Sequence, residues 1–432
     1  MAAAETQGPL KGVRVLEFSQ IVAGPVAGLN LADLGADVIK VEPPRGDSHR
    51  YTSTTVPGES KMYQGNNRGK RGLVVDLQDP RGIALVHRLV PTVDVVIVNY
   101  RPGVAQRIGI DYDTLKALRP DLIYAQLSGF GETGPGARKG GSDIVAQAHS
   151  GLMAMDAKYD DDGLPQLIGV PLSDYAAGFA VAMAVCAALL HRERTGEGQY
   201  ISTSLLRLGL YLQNRYVMRE PVSDAAIRDP QMERLNEARK HGASFRELAQ
   251  MRNPRTQFAS PFTLYYRSYH ASDGFVVLGA LTPQNRQAIR DVVGIEGELS
   301  DEPGFDARAP ENIEATERWK WWMEDMMRTR TVHEWVEAFE AAGVPVAPVN
   351  FPEEMADDEL ANADGMILNM THTVTGPQRV VGPPVLMSGT PTGNPLPAPS
   401  LGEHSTEVLR EVGLSDDEID RLCAEGIVKR MP

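Results

Sequence analysis

Through residue 130 the chain alternates two hydrophobic periods. Short β-branched and apolar runs fall at 13–18 (VRVLEF), 37–41 (DVIKV), 72–77 (GLVVDL), 94–99 (DVVIVN) and 122–127 (LIYAQL). Between them, residues 27–35, 79–93 and 113–118 carry apolar positions at helical spacing. This alternation predicts a mostly parallel sheet covered by helices, a Rossmann-like α/β domain whose ligands sit at the carboxyl ends of the strands.

A second pattern begins at Asp174. Residues 174–194 (DYAAGFAVAMAVCAALLHRER) predict one long helix, with Ser173 placed as N-cap, a basic last turn and Gly196 just past the end. Its apolar part, 176–190, falls short of the roughly 20 residues that cross a bilayer, so a buried helix is expected. Residues 219–255 turn polar and charged, as surface helices joining two domains would. Strands are expected over 258–280, with a turn at 271–274 (ASDG), and helices over 311–342. The stretch 343–350 (GVPVAPVN) has linker composition, and 389–400 (GTPTGNPLPAPS) is too rich in proline for regular structure. These patterns divide the chain into 1–218, 219–342 and 343–432. Trp319, Trp321, Trp322 and Trp335 all fall in the middle part, where they are expected to fill a core or an interface.

Length and charge narrow the function. A chain of 432 residues exceeds what one compact core usually holds. A formal net charge of -14 argues against nonspecific nucleic-acid binding and against docking on an anionic membrane, so any anionic ligand needs a local basic cluster. The opening MAAAETQGPLKG lacks the regions of a secretory signal, which makes a cytoplasmic protein the expectation. Two cysteines, Cys186 and Cys423, build neither a disulfide framework nor a cysteine zinc site, and no metal constellation is expected.

Residues 129–134 (GFGETG) match the spacing of a dinucleotide fingerprint. They follow a late strand and run into Pro135, Gly136, Gly140 and Gly141, which cannot open the required helix, so no NAD site is expected there. Basic residues recur after successive strands: Lys40 and Arg45; Arg68, Lys70 and Arg71; Arg101 and Arg107; Arg138 and Lys139. They read either as scattered surface charge or as one phosphate site at the sheet edge. Asp174 reads either as an ordinary helix-start acid or as a carboxylate kept ionised by the helix terminus and available as a nucleophile.

Several stretches, in order, resemble the class III CoA-transferases, the family of formyl-CoA transferase, carnitine CoA-transferase and the 2-methylacyl-CoA racemases. Among them are LKGVRVLEFSQIVAGP, LADLGADVIKVEPPRGD, NNRGKRGLVVDL, VNYRPGVAQRIGIDYDTL, SGFGETGP, SDIVAQAHSGLM, GVPLSDYAAGFAVAMAVCAALLHRERTGEGQYISTSLL, SDGFVVLGA, AGVPVAPV and LGEHSTEVL. The resemblance implies that Asp174 is the nucleophile, carrying first an acyl anhydride and then a CoA thioester. It implies CoA as the cofactor-like substrate, an acyl-CoA donor and a carboxylic acid acceptor. Val22 and Ala23 match the family's backbone-contacting pair, although formyl-CoA transferase has a glutamine where Val22 stands. Lys70 and Arg107 match basic positions facing CoA, with Arg45, Arg68, Arg71 and Lys139 as neighbours. The family fold implies an interlocked homodimer: a large Rossmann-like domain built from both chain ends, a smaller inserted α+β domain, and an active site between domains of different chains. Two departures matter. Racemases of the family carry G-H-D where this chain has Gly141-Ser142-Asp143, which removes their histidine base, and the glycine triplet of formyl-CoA transferase is absent.

Overall fold

The computed structural model describes residues 8–252 and 259–431 and divides them into two compact units, one formed by both chain ends up to Glu220 and from Glu359, the other by Pro221–Asp358. The expectations for the first residues of the chain, and for Phe258 and 253–255, lie outside the described residues.

The first unit is built on β1 (Arg14–Phe18), β2 (Asp37–Glu42), β3 (Lys70–Val75), β4 (Val95–Val98), β5 (Ile123–Ser128) and β6 (Tyr200–Ser204). Their order in the sheet is 3-2-1-4-5-6, all parallel, with the two-residue strand Val428–Lys429 antiparallel on the outer edge of β3. The order reverses between β1 and β4, and a crevice at the carboxyl ends of those two strands is where such sheets take ligands. Helices α1 (Ala23–Asp33), α2 (Lys61–Asn67), α3 (Pro80–Leu89), α4 (Val104–Arg107), α5 (Tyr112–Leu118), α6 (Asp143–Ser150), α7 (Leu152–Asp156) and α8 (Leu172–Thr195) follow in chain order.

Strand alternation sorts the core into two faces. Leu16, Phe18, Ile39, Val41, Val96 and Val98 meet α3 and the C-terminal helices on one side. Val15, Val38, Val95, Ile97 and Ala125 meet α1 and α8 on the other. The same face carries charge on three neighbouring strands: Glu17 of β1, Lys40 of β2 and Lys70 of β3 are fully buried under α1. Glu17 sits 2.8 Å from Lys70 and 3.3 Å from Lys40, and a side chain at Gly28 of α1 would fall on the Glu17 carboxylate. A strand starting at 72 was expected because Lys70 and Arg71 look like loop residues. They belong to β3, since each finds a counter-charge inside the fold.

The long helix starts two residues earlier than the sequence suggests, at Leu172, and ends on the left-handed Gly196. Ser173 is therefore inside the first turn and not its cap; its hydroxyl is buried with no hydrogen-bond partner among the described residues. Ala177, Val181, Val185 and Ala188 bury one face, while Phe179, Met183 and Leu190 are exposed on the other. The whole helix, 24 residues, is long and apolar enough to cross a membrane by length and composition only, a test that buried core helices also pass. At Gly178 it crosses α1 so closely that a Cβ would lie 2.5 Å from Val26 and 3.0 Å from the Ala23 carbonyl.

The second unit holds β7 (Tyr266–His270), β8 (Phe275–Gly279) and β9 (Val346–Pro348) in one antiparallel sheet. Phe262–Tyr265, expected as strand, is a helical turn. Trp335 is fully buried and donates to the Met327 carbonyl, Trp319 and Trp322 pack around the same core, and Trp321 is exposed. The stretch 343–350 is not a return linker: Val346–Pro348 is a sheet strand despite its prolines, which sit on an edge where no N–H is needed, and the unit extends to Asp358. The hairpin β10 (Ile367–His372) and β11 (Gly376–Val381) belongs to the first unit, and 389–400 is irregular as expected.

Replacing Glu17 with Ala leaves two buried ammonium groups short of a counter-charge. Unfolding by urea is expected to show a loss of about 3–5 kcal/mol, with the fold's secondary structure retained at low denaturant.

Candidate active site

Asp174 is the third residue of α8 and is buried to 8 % of its surface. An acid there would ordinarily draw on the free N–H groups of the first turn. Those donors are taken: Asp143 Oδ1 accepts from the N–H of Ser173 at 2.9 Å and of Asp174 at 3.2 Å. Gln147, one turn along α6, donates to the other Asp143 oxygen and accepts from the N–H of Ile168. Burial, with the Asp143 charge second, pushes Asp174 up to about 7. The sequence-based argument that the helix terminus favours its ionised form is thus reversed: Asp143 receives that stabilisation, and Asp174 is a carboxylate held at a disadvantage. Tyr175 next to it donates to Asn66 at the end of α2.

The β1–α1 connection, 19–22, leads into Ala23 and Val26 of α1, which meet α8 at Gly178, four residues after Asp174. Three neighbouring elements pin it. Lys40 donates to the Ser19 carbonyl at 2.9 Å, Asn99 at the end of β4 bonds both the N–H and the carbonyl of Gln20, and Asp47 accepts from the Ile21 N–H. Ile21 takes a left-handed φ of 75°, an unfavourable conformation for a β-branched residue that costs on the order of 1–3 kcal/mol. The N–H groups of Val22, Ala23 and Gly24 have no acceptor among the described residues. They open at the switch point of the sheet, where an oxyanion or phosphate would be received.

The basic residues singled out from the sequence fall into two sets. Lys70 is fully buried under α1, donating to the Pro25 carbonyl and Asn67 and paired with Glu17. Arg68 forks onto Asp33 and donates to the Val381 carbonyl. Arg71, on the opposite face of the sheet from Lys70, is bound by Asp37, Glu407 and Glu411. The expectation that Lys70 faces CoA, with Arg68 and Arg71 as its neighbours, does not suit these positions, because their donors are spent within the fold. Arg45, Arg107 and Lys139 are exposed in connections that follow β2, β4 and β5, as are Arg101 and Arg138, and none has an ion-pair partner among the described residues. The Arg101 guanidinium lies against Gly140, which joins the β4 connection to the Lys139 loop. Sequence reasoning ranked Arg101 below Lys70; burial, which the sequence does not display, reverses that order.

GFGETG forms an irregular connection between β5 and α6 and opens no helix before Asp143. His149 stacks edge-on against Phe130 of that connection. A cavity of about 1020 Å³ in the same unit is walled by α1, α2, Tyr175, Phe179 and the β10–β11 hairpin; Asp174 is not among its walls. Among the described residues no group of three or more His, Cys, Asp or Glu side chains is arranged to hold a metal ion.

Residues 10–405 match the model of CoA-transferase family III, and the chain belongs to that family. It is therefore a class III CoA-transferase enzyme, whose substrates are CoA thioesters. It is 35 % identical over 420 residues to the succinate–glutarate CoA-transferase of Agrobacterium fabrum, covering 94 % of this chain and 96 % of the relative. Against the succinyl-CoA:glutarate CoA-transferase of Homo sapiens it is 30 % identical, covering 97 % and 90 %. A crystal structure of a CaiB/BaiF family protein from Brucella suis superposes with a TM-score of 0.73 at 29 % identity, covering 94 % of this chain and all of that one.

A carboxyl group raised to about 7 in the folded chain, from 3.8 as a free side chain, binds a proton that the unfolded chain releases. Its contribution to stability therefore falls as pH rises between about 4 and 7. Replacing Asp174 with Asn removes that loss, so the variant is expected to be more stable than the parent by about 2–4 kcal/mol at pH 8 and equal to it below pH 4, as read by thermal unfolding across pH.

Proposed function

We propose that the chain moves CoA from an acyl-CoA to a free carboxylate through a covalent thioester on Asp174, with dicarboxylates of the succinate and glutarate size as substrates. The observation that carries this reading is the Asp143–Asp174 pair. An isolated surface acid needs no second carboxylate beside it, whereas a carboxylate denied hydrogen bonds and pressed by a like charge is destabilised as an anion and relieved when acylated.

The Asp174 carboxylate oxygen attacks the thioester carbonyl and the C–S bond breaks, giving an acyl-aspartyl anhydride and CoA thiolate. The thiolate attacks the aspartyl carbonyl, releasing the donor acid as carboxylate and leaving an aspartyl-CoA thioester. An acceptor carboxylate attacks this thioester and expels the thiolate again, forming a second anhydride. Thiolate attack on the acceptor carbonyl then releases the new acyl-CoA and returns Asp174 as carboxylate. Each step exchanges one anion for another, so no net proton is taken up. Each covalent state removes the charge on Asp174 and with it the repulsion from Asp143. The unpartnered amides of Val22, Ala23 and Gly24 are suited to an oxyanion or to a phosphate of CoA, and Arg45, Arg101, Arg107, Arg138 and Lys139 supply positive charge for the nucleotide end.

The names of the relatives favour succinyl-CoA as donor and glutarate as acceptor. A racemase is disfavoured because Ser142 stands where its histidine base belongs and His149 is engaged with Phe130. In this reading the enzyme is cytoplasmic and a homodimer, and the exposed apolar side chains Phe179, Met183 and Tyr211 support the association of two chains.

Incubation with succinyl-CoA, followed by intact-mass measurement and peptide mapping, is expected to show a CoA-mass adduct on the peptide containing Asp174 that hydroxylamine removes. Replacing Asp174 with Ala is expected to lower exchange between succinyl-CoA and glutarate by about 10³-fold or more while CoA binding persists. Full activity in that variant would refute the covalent route. Since the nucleophile must be ionised, kcat/KM is expected to rise with pH and level off above about 7, the value to which burial and Asp143 push Asp174.

A further inference from the structure

We propose that Asp47 is a positioning residue of the CoA site: by holding the Ile21 N–H it fixes the left-handed turn that presents the Val22, Ala23 and Gly24 amides to a CoA thioester. The proposal rests on the CoA-transfer reading above. Asp47 lies in the connection after β2, in a different strand unit from the loop it holds, and its side chain is fully buried. Its two oxygens are 3.3 and 3.2 Å from the Ile21 nitrogen. The same carboxylate accepts from the His49 N–H at 3.0 Å and pairs with Lys40 at 3.1 Å. Its own N–H donates to Glu42 at 2.9 Å, and Glu42 is clamped by Arg50. Asp47 is thus fixed by backbone, by a neighbouring acid and by a buried ammonium before it touches the loop.

Two features make this more than ordinary loop packing. Ile21 is exposed, so burial of its side chain does not account for the left-handed backbone; a hydrogen bond to its N–H from a fixed acceptor does. Lys40 neutralises the acceptor from beneath. An anionic acceptor placed under an anion-binding loop would otherwise repel the ligand, and the 3.1 Å ion pair removes that conflict. Lys40 also holds the Ser19 carbonyl, so one ammonium fixes both the start of the loop and the acid that fixes its middle.

The test is calorimetric CoA binding together with steady-state kinetics for succinyl-CoA. Replacing Asp47 with Asn is expected to raise KM for the acyl-CoA about tenfold while kcat changes less than about threefold. Adding Ile21→Gly to that variant is expected to bring KM back within about threefold of the parent, because glycine takes the left-handed turn without an anchor. A general loss of stability would not be rescued in this way. Should Asp47→Asn fail to fold, Asp47→Glu keeps the charge Lys40 requires while displacing the oxygens from Ile21, and the same rise and the same rescue are expected. Unchanged KM in a folded variant, or no recovery with glycine, overturns the role of Asp47 alone. Absence of CoA binding by the parent enzyme overturns the CoA reading and this inference with it.

Discussion

The buried charges beneath the first helix constrain the rest of the large unit. Glu17, Lys40 and Lys70 come from three adjacent strands and have no access to water. Removing such groups from water costs several kcal/mol each, so none is tolerable without the others. Burial pulls Lys70 below the ordinary lysine range even with Glu17 beside it, while the two lysines hold Glu17 below the usual carboxylate range against the effect of burial. This cluster dictates a residue without a side chain at position 28. It also extends outward, because Lys40 reaches from Glu17 to Ser19 and Asp47. The interaction that holds the sheet to its first helix is therefore the same one that shapes the loop at the switch point. Stability and the shape of that loop share an atom, the Lys40 ammonium nitrogen.

A second pair of charges works in the opposite sense. Around Glu17 opposite charges compensate one another; around Asp174 a like charge is placed beside it and the natural donors are diverted. Asp143 comes from another helix and is itself held by Gln147, whose amide is tied to Ile168. The three segments that meet there are locked by hydrogen bonds that end on Asp143 and, for Ile168, on Gln147, and the Asp174 carboxylate accepts none of these. In the proposed mechanism the attacking carboxylate has to be a poor resting anion relative to its acylated form, and burial of Asp174 beside Asp143 works in that direction.

Much of the fold was legible in the sequence because the strand runs of the Rossmann-like half are continuous and their turns are rich in glycine. The boundaries that moved did so for identifiable reasons. Lys70 and Arg71 look like solvent-exposed loop residues until their partners are known, and for Arg71 two of those partners lie more than 330 residues away. Val346–Pro348 has the composition of a linker but occupies a sheet edge, where proline is tolerated. Asp174 could be singled out as an acid at a helix start, yet its character depends on Asp143, 31 residues earlier in the chain, which no local pattern connects to it. The left-handed Ile21 was illegible for a different reason: propensity argues against that backbone at a β-branched residue, so only the external anchors reveal it.

The same distinction explains how a chain with a net charge of -14 remains suited to a polyanionic substrate. Net charge acts over distances that salt screens within about 8–10 Å, so the encounter with a CoA phosphate is governed by the cations nearest the sheet edge. Those cations are the ones the fold leaves unneutralised, in connections that all open toward the carboxyl ends of the strands. The cations inside the sheet are cancelled by acids of the chain itself and contribute little field outside. A count of basic residues along the sequence weights both sets alike, and it is burial that turns the count into a direction.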